Sequence, residues 1–321
     1  MNSTLLSPDK DGPVFIVGAP RSGTTMLQYR LRNLPRISLP TGESHFFIPL
    51  YRNRAQFGDL SRVENIRAVL DAMHAQSRDF LETDLHGMRF DAASLAAELH
   101  AQGRHTLPAI VGGLFEKNAR GEGKARWGDK TPYYVMHMQK LLEWFPSARF
   151  VHLIRDGRDV ALSLFGRRHD FGVYNAYFAA EYWESYIEKG RAQARGLPPD
   201  QYLELGYEDL LAQPEETMRT LCGFLGEDYS PEMFEVKPVD DPGKTPLVHK
   251  PLRADNAGKW RVEMTRAQIR AFESVAGNTL RELGYELLTP ARPPRLVEKA
   301  AYRLHNKTLA RYWQHRKSQA A

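Results

Sequence analysis

The stretch Pro13–Thr25, which reads PVFIVGAPRSGTT, decides how the rest of this chain is interpreted. It contains Val14–Val17, a short apolar run of β-branched and aromatic residues that predicts a buried strand. Gly18 and Pro20 end the strand, and from Ser22 onward the apolar residues have helical spacing. A strand, a glycine-containing turn and a helix N-terminus direct backbone N–H groups and the positive end of the helix dipole at one point. We therefore expect an anion-binding loop here.

The loop has the glycine spacing of a nucleotide phosphate-binding loop, with Gly18 and Gly23 at its ends. In ATPases and GTPases a lysine follows the second glycine and contacts the β- and γ-phosphates. This chain has Thr24 at that position, and its fixed positive charge is Arg21, inside the loop. The sequence therefore predicts that Arg21 binds a phosphate-like group without the lysine that triphosphate cleavage uses. The same group would also accept hydrogen bonds from the backbone amides of Ser22, Gly23, Thr24 and Thr25.

The segment GAPRSGTT resembles the 5′-phosphosulfate loop of sulfotransferases that use 3′-phosphoadenosine 5′-phosphosulfate (PAPS). A second match follows later in the chain, where ARFVHLIR (148–155) predicts another buried strand that leads into a helix. Arg155 ends this strand and Ser163 follows within the helix, as in the 3′-phosphate motif of these enzymes. The resemblance implies that Arg155 and Ser163 bind the 3′-phosphate. Arginine suits this role because its planar guanidinium makes two charge-assisted hydrogen bonds to phosphate oxygens.

Two further segments resemble sulfotransferase segments that carry reacting groups. In GESHFF (42–47), which follows a short predicted strand at 36–39, the resemblance implies that Glu43 removes the proton from the acceptor hydroxyl. His45 is the alternative base, because the cytosolic small-molecule sulfotransferases use a histidine. In DKTP (129–132), the resemblance implies that Lys130 stabilises charge on the bridging oxygen as the phosphate leaves.

The nucleotide is expected to make further contacts near the end of the resemblance. YEDL (207–210) follows a predicted strand at 201–205, and its Tyr207 matches the tyrosine that lies against adenine. Residues 240–259 are rich in Pro, Gly and charge and predict a loop. Arg253 in this loop and Trp260 directly after it keep the spacing of the family's cofactor-closing loop, which makes Arg253 a candidate 3′-phosphate ligand. Ala254 and Asp255 depart from the family's Lys-Gly at those positions.

Helical periodicity fills much of the remaining sequence. Apolar spacing predicts helices over 133–144, 175–195 and 265–283. The aromatic stripe of the second, which includes Tyr182 and Tyr186, is interpreted as core. Thr265 is a suitable N-cap for the third helix, and Gly284 is a suitable residue to end it.

The resemblance implies a sulfotransferase domain over residues 1–290. Its expected fold is α/β, a parallel β-sheet flanked by helices in the three-layer arrangement of the nucleotide kinases. Residues 291–321 predict a basic amphipathic helical tail, in which eight Lys and Arg residues against Glu298 give a net charge of +7. The rest of the chain has 36 basic and 38 acidic residues, a net charge of −2, which argues against a nucleic-acid partner. We expect the tail to dock on the body or a partner subunit, or to contact a membrane surface.

Composition also indicates where the protein works. No uninterrupted apolar run approaches the ~20 residues of a membrane-spanning helix, and the N-terminal sequence lacks the pattern of a secretory signal. The single cysteine, Cys222, cannot form an internal disulfide and is expected inside a helix core. These features predict a cytoplasmic protein. No cluster of metal-ligand residues is evident in the sequence, so we expect no metal cofactor.

We interpret the chain as an enzyme that moves a sulfuryl group from PAPS to an acceptor hydroxyl and leaves 3′-phosphoadenosine 5′-phosphate (PAP). The acceptor would be a glycan, a lipid, a small molecule or a tyrosine. One alternative is a kinase-like phosphotransferase on the same fold, for which a lysine would be expected in place of Thr24. The other is a protein that binds PAPS or another anion without turnover, in which Glu43 and Lys130 would be dispensable.

Overall fold

A five-stranded parallel β-sheet organises the protein. The computed structural model describes residues 12–77, 88–235, 251–290 and 292–320. The strands are β1 (Val14–Gly18), β2 (Ile37–Ser38), β3 (Arg126–Lys130), β4 (Arg149–Ile154) and β5 (Tyr202–Gly206). Their order across the sheet is β2-β3-β1-β4-β5, and every neighbouring pair is parallel. Parallel neighbours need crossover connections, and helices supply them here.

Helices make up most of the rest of the described chain. They are α1 (Thr24–Arg32), α2 (Phe47–Arg52), α3 (Val63–Gln76), α4 (Ala92–Ala101), α5 (Leu107–Gly121), α6 (Met138–Trp144), α7 (Gly157–Gly166), α8 (Arg168–Phe171), α9 (Ala176–Ala194), α10 (Tyr207–Ala212), α11 (Pro214–Leu225), α12 (Trp260–Glu263), α13 (Arg266–Glu282) and α14 (Leu296–Ala320). Short 3-10 turns lie at Arg54–Phe57, Pro132–His137, Pro231–Phe234 and Ala254–Asn256.

Strand β1 is buried on both faces, as its apolar run predicts. Phe15 and Val17 belong to the hydrophobic core on one side of the sheet, and Val14 and Ile16 belong to the core on the other side. This division follows from the alternation of side chains along a strand. Because each face is covered by its own helices, the predicted α/β fold with a parallel sheet between two helical layers is confirmed.

An aromatic cluster around Phe15 positions the segment that carries Glu43. The Phe15 ring stacks on Phe150 of β4 at 5.4 Å between ring centroids and meets Phe47 edge-on at 5.8 Å. Phe46 and Phe47 are both buried, with 0 % and 1 % of their surface exposed. Buried aromatic side chains contribute strongly to core energetics. The two phenylalanines of GESHFF therefore fix this segment against the sheet.

The predicted start and end of α13 are confirmed, and both depend on residues adjacent in the sequence. Thr265 caps α13 in a capping box with Gln268, and Gly284 follows its end at φ +82°, as predicted. The predicted helix over 133–144 is instead divided into a 3-10 turn and α6. The break is at His137, whose φ of −140° and ψ of 19° are not helical.

The C-terminal tail forms the predicted helix, α14, and packs on the body. Asn306 accepts a hydrogen bond from the Tyr174 amide at 2.9 Å and donates one to the Gly172 carbonyl at 3.0 Å. Tyr302 stacks on Tyr177 with 5.2 Å between ring centroids. The predicted domain boundary at residue 291 lies outside the described residues, as do residues 240–250 of the predicted loop, so both stay predictions.

Cys222 has the predicted environment. It is 1 % exposed in α11, and its thiol lies 3.7 Å from the Met233 sulfur.

The cytoplasmic location of the protein stays a prediction. Within the described ranges, no helix combines the length and the apolar character needed to cross a bilayer.

Candidate active site

The loop between β1 and α1 has the backbone geometry of an anion cradle. Gly23 precedes α1 at φ +95°, and no side chain caps the helix at this residue. Arg21 is also left-handed, at φ +74°, which is uncommon for a residue with a Cβ atom. The Ser22 hydroxyl is buried and finds no hydrogen-bond partner among the described residues. The uncapped first turn and this unpaired hydroxyl suit an anion that accepts hydrogen bonds from both.

A cavity of about 560 Å³ lies beside this loop. It opens at the carboxyl ends of β1, β4 and β5, the edge at which open α/β sheets bind ligands. The sequence-predicted residues that line it are Arg21, Gly23, Thr24, Thr25, Glu43, Arg155, Ser163 and Tyr207. Residues far apart in the sequence, from both phosphate motifs and from the GESHFF segment, therefore share one cavity.

The two predicted phosphate motifs are in direct contact. Arg21 Nε donates a hydrogen bond of 2.9 Å to Ser163 Oγ. Arg155 Nη1 donates one of 3.4 Å to the Arg21 carbonyl. Burial lowers the pKa of Arg21, and the positive charges of Arg167 and Arg155 lower it further. An anion bound at this point would relieve the repulsion among these guanidinium groups.

Arg155 is held on several sides and still has free hydrogen-bonding capacity. Its guanidinium lies over the Tyr207 ring at 4.4 Å from the centroid, a cation–π contact. Its Nη2 donates a hydrogen bond of 2.8 Å to the Asn256 carbonyl. Its Nε is buried and finds no partner in the part of the chain that the structure describes. Arg155 therefore lines the cavity with one of its guanidinium donors still unpaired among the described residues.

The predicted reacting groups form an ion pair. Lys130 Nζ lies 2.9 Å from Glu43 Oε1, and His45 Nε2 lies 3.0 Å from the other carboxylate oxygen. Burial raises the pKa of Glu43, but the charge and hydrogen bond of Lys130 and the hydrogen bond of His45 outweigh it and bring the pKa to about 2. Glu43 is therefore ionised at neutral pH. Both Glu43 and His45 line the cavity, so the geometry leaves the choice of base a prediction.

A buried polar network beneath this pair joins the two segments that carry it. The Ser44 amide donates a 2.9 Å hydrogen bond to Thr131 Oγ1, and the Ser44 hydroxyl lies 2.9 Å from the Tyr134 hydroxyl. Asp129 is 1 % exposed, and burial raises its pKa to about 6 against the effect of the Ser44 and Thr131 hydroxyls. Sequence reasoning did not find Ser44 and Thr131 as a connection, because the two residues lie in separate motifs.

Three predicted site residues do not line the cavity: Ser22, Lys130 and Arg253. Ser22 lies buried within the loop. Lys130 contacts the cavity-lining Glu43, whereas Arg253 has no such link among the described residues. Its guanidinium forms an ion pair with Asp255, and 62 % of its side chain is exposed. Asn256, three residues later, lines the cavity in this region. The role of Arg253 in 3′-phosphate binding stays a prediction.

The cavity has an aromatic wall that sequence reasoning missed. Its aromatic residues apart from Tyr207 and His45 are Tyr133, Phe171, Tyr182 and Tyr186. The prediction that the α9 stripe is core is only partly correct, because Tyr182 and Tyr186 line the cavity as well as contacting the core. Periodicity could not reveal this, since it identifies an apolar face but not whether a cavity opens beside it.

Comparisons with known proteins identify the family. The Sulfotransferase family profile matches residues 13–231. The chain belongs to the sulfotransferase family. This finding confirms the predicted family and the prediction of a sulfotransferase enzyme. The matched range contains both phosphate motifs and the Glu43–Lys130 pair, and it ends before Arg253.

Individual relatives and structures agree with this assignment. The chain is 25% identical over 308 residues to the protein-tyrosine sulfotransferase of Drosophila melanogaster, an alignment that covers 91% of this chain but 55% of the fly protein. It is 26% identical over 310 residues to protein-tyrosine sulfotransferase 1 of Danio rerio, covering 91% of this chain and 77% of the fish protein. The sulfotransferase domain of the curacin biosynthetic pathway has a similar fold, with a TM-score of 0.58 and 21% identity, over 86% of this chain and 98% of that domain.

Gly23→Ala is expected to weaken PAP binding about tenfold or more, which corresponds to about 1.4 kcal/mol. A Cβ atom at Gly23 would lie 2.7 Å from two carbons of the Tyr207 ring, so the cradle and the tyrosine could not both keep their positions. Calorimetric titration with PAP measures the effect. The matched control is Gly103→Ala, which has a similar φ of +70° but open space around it. Equal PAP affinities for the two variants would show that the close approach of Gly23 to Tyr207 is unimportant for binding.

Proposed function

We propose that this chain transfers a sulfuryl group from PAPS to the hydroxyl group of an acceptor and releases PAP. The observation that carries the proposal is one cavity lined by the loop after β1, by Arg155 and Ser163, and by Glu43, whose carboxylate pairs with Lys130. The chain spans 55% of the length of its fly relative, so the activity of that protein is extended to this chain only as a proposal.

The donor would be held at its two charged ends. The amides from Ser22 to Thr25 and the Arg21 guanidinium would bind the 5′-phosphosulfate, and Arg155 and Ser163 would bind the 3′-phosphate. The fit rests on two buried groups without partners among the described residues, Ser22 Oγ and Arg155 Nε. Both are polar atoms that a phosphate oxygen would satisfy. PAPS, when bound, supplies the activated sulfuryl group.

Glu43 would act on the acceptor and Lys130 on the leaving phosphate during sulfuryl transfer. The ionised Glu43 accepts the proton of the acceptor hydroxyl as the new oxygen–sulfur bond forms. The bond from sulfur to the phosphate oxygen breaks, and Lys130 stabilises the negative charge that the leaving phosphate gains. Positioned charges of this kind usually supply the largest part of catalysis in such transfers. Lys130 is well placed for a fixed role because only 4 % of its side chain is exposed.

The acceptor class we propose is a hydroxyl group next to an aromatic or apolar body. The wall formed by Tyr133, Phe171, Tyr182 and Tyr186 supports this choice, because aromatic rings pack well against apolar and aromatic groups. The two relatives described above are named for tyrosine, which agrees with a phenolic acceptor. A comparison of a tyrosine-containing peptide with an aliphatic alcohol of similar size tests the class. Faster transfer to the alcohol would contradict it.

The proposed donor is tested by calorimetric titration with PAP, adenosine 5′-phosphosulfate and ATP, without magnesium. We expect the tightest binding for PAP, because it alone carries the 3′-phosphate. Preference for ATP, above all after addition of magnesium, would instead support the kinase-like alternative. PAP binding together with no sulfuryl transfer to any acceptor would support the non-catalytic alternative.

Arg155→Ala is expected to weaken PAP binding about 10- to 100-fold, the effect of removing a charge-assisted contact of about 1.5–3 kcal/mol. Binding of adenosine 5′-phosphosulfate should change much less, since it lacks the group that Arg155 contacts. The same titrations measure both affinities. Arg191→Ala is a control, because Arg191 pairs with Glu204 and does not line the cavity. An equal loss for both nucleotides would contradict the assignment of Arg155 to the 3′-phosphate.

A further inference from the structure

Asp159, in the first turn of α7, connects two parts of the candidate site. Its carboxylate accepts a 2.7 Å hydrogen bond from the Gly258 amide and a 2.9 Å hydrogen bond from the Trp260 amide. The same carboxylate lies 3.6 Å from Arg155 Nη2. Only 1 % of the Asp159 side chain is exposed. One buried side chain therefore contacts both Arg155 and the 251–260 segment.

The 251–260 segment contributes directly to the cavity. Pro251, Leu252 and Asn256 line it, and the Asn256 carbonyl accepts the hydrogen bond from Arg155 Nη2. At the far end of the segment, Trp260 is 1 % exposed. The segment is therefore anchored on its C-terminal side by a buried tryptophan and by Asp159. Asn256, the residue that contacts Arg155, lies between the cavity-lining start of the segment and this anchored end.

We propose that Asp159 is a positioning residue for the donor: it holds the 251–260 segment against Arg155 and so sets how strongly the enzyme prefers a 3′-phosphorylated nucleotide. This inference rests on the proposed function, since it concerns the same nucleotide site. Asp159 contacts no reacting atom in this scheme. It acts through the orientation of the Arg155 guanidinium, which Tyr207 and the Asn256 carbonyl hold on its other sides.

Two physical effects of Asp159 on phosphate binding oppose each other, and they predict different results. A carboxylate beside Arg155 repels a phosphate, so its neutralisation would strengthen PAP binding if charge alone mattered. Asp159 is, however, already satisfied by two backbone N–H donors. An asparagine there would turn its NH₂ group toward one of those donors, leave a buried N–H without an acceptor and release the segment. We expect the loss of positioning to dominate.

The test is the ratio of the affinities for PAP and adenosine 5′-phosphosulfate, measured by calorimetry on the full chain. Asp159→Asn is expected to weaken PAP binding about tenfold, equivalent to about 1.4 kcal/mol, and to change the binding of the other nucleotide less than about threefold. In an Arg155→Ala background the same substitution should change PAP binding less than about twofold, because coupled residues are not additive. The control is Asp71→Asn, which removes a carboxylate of 56 % exposure from α3.

Each outcome is decisive. The inference would be overturned if Asp159→Asn left the ratio of the two affinities unchanged or weakened the binding of both nucleotides equally. It would also be overturned if the variant bound PAP more tightly, or if the effects of Asp159→Asn and Arg155→Ala on PAP binding were fully additive. If the unmodified protein shows no preference for PAP, the proposed function itself fails and this inference with it. If the Asp159 variant does not fold, hydrogen exchange of the unmodified protein decides. We expect the Gly258 and Trp260 amides to be protected in the PAP complex, and exchange at unprotected rates would overturn the inference.

Discussion

Glu43→Gln is expected to lower kcat for sulfuryl transfer by about 10²- to 10⁴-fold, the usual contribution of a positioned general base. Glutamine has nearly the same shape and can still accept a hydrogen bond from Lys130, but it cannot take up the acceptor proton. PAP affinity should stay nearly unchanged, because Glu43 contacts Lys130 and His45 and is not one of the residues assigned to a phosphate. Steady-state transfer rates and calorimetric titration with PAP measure the two effects separately.

His45→Ala completes this experiment, since His45 is the alternative base. We expect a smaller loss of kcat than for Glu43→Gln, because His45 supports the ionised form of Glu43 through a hydrogen bond. Glu64→Gln serves as the control, since Glu64 is an exposed glutamate at the start of α3. A larger loss for His45→Ala than for Glu43→Gln would assign the base to His45. Full activity of both variants would leave neither residue with a catalytic role.

Lys130→Met is expected to lower kcat by about 10²- to 10³-fold, the range found when one preorganised donor is removed from a site of developing charge. Methionine has a similar length and no charge, so it would leave the buried position filled. Lys117→Met is the matched control, since Lys117 forms a partly exposed ion pair with Glu98 and neither residue lines the cavity. Similar activities for the two methionine variants would exclude a catalytic role for Lys130.

Lys130→Met is also expected to change the pH dependence of kcat/KM. Lys130 is the main cause of the low pKa of Glu43, which is about 2 against an ordinary 4.5, so its removal should raise the pKa of Glu43. The base is active when ionised, and the loss of kcat/KM on the acidic side should therefore begin at higher pH in Lys130→Met than in the unmodified protein. Acid-side profiles of kcat/KM measure the shift. Coinciding acidic limbs would show that the ion pair does not control this group.

The ion pair between Glu43 and Lys130 also makes the stability of the fold depend on pH, in a direction that the pKa of Glu43 defines. Because the pKa of Glu43 is lower in the folded protein, its ionised form stabilises the fold above about pH 4.5, and this contribution is lost as the pH falls toward 2. Since 37 % of the side chain is exposed, solvent screening keeps the contribution modest.

Local signals identified much of the candidate site. The β1 loop needs a strand, a left-handed glycine and a helix start within a few residues, and all three are properties of adjacent sequence. Arg155 and Ser163 owe their phosphate role to the family resemblance, while their placement on one strand end and the following helix is likewise a property of adjacent sequence. The same holds for the cap of α13 at Thr265, where side chain and backbone meet within four residues. Such features depend on dihedral preferences and nearby hydrogen bonds, so they can be predicted without knowing the fold.

Other parts of the site depend on contacts between distant residues. Glu43 and Lys130 lie 87 positions apart, and the pair exists because Phe46 and Phe47 pack beside β1 and β3. Tyr182 and Tyr186 belong to an apolar face that periodicity assigns to the core, yet only the packed structure shows that a cavity opens beside these two residues.

By itself, the sequence determined the strand, turn and helix of the β1 loop and the family resemblance, because these are written in short segments of adjacent residues. The resemblance in turn implied the parallel α/β fold and the phosphate-binding roles of Arg155 and Ser163. Only the tertiary structure decided that Asn256 rather than Arg253 lines the cavity, and that Asp159 joins α7 to the amides of Gly258 and Trp260. The physical reason is that backbone N–H groups carry no residue-specific signal. Their partners across about a hundred positions are selected by how the layers pack, which no local pattern records.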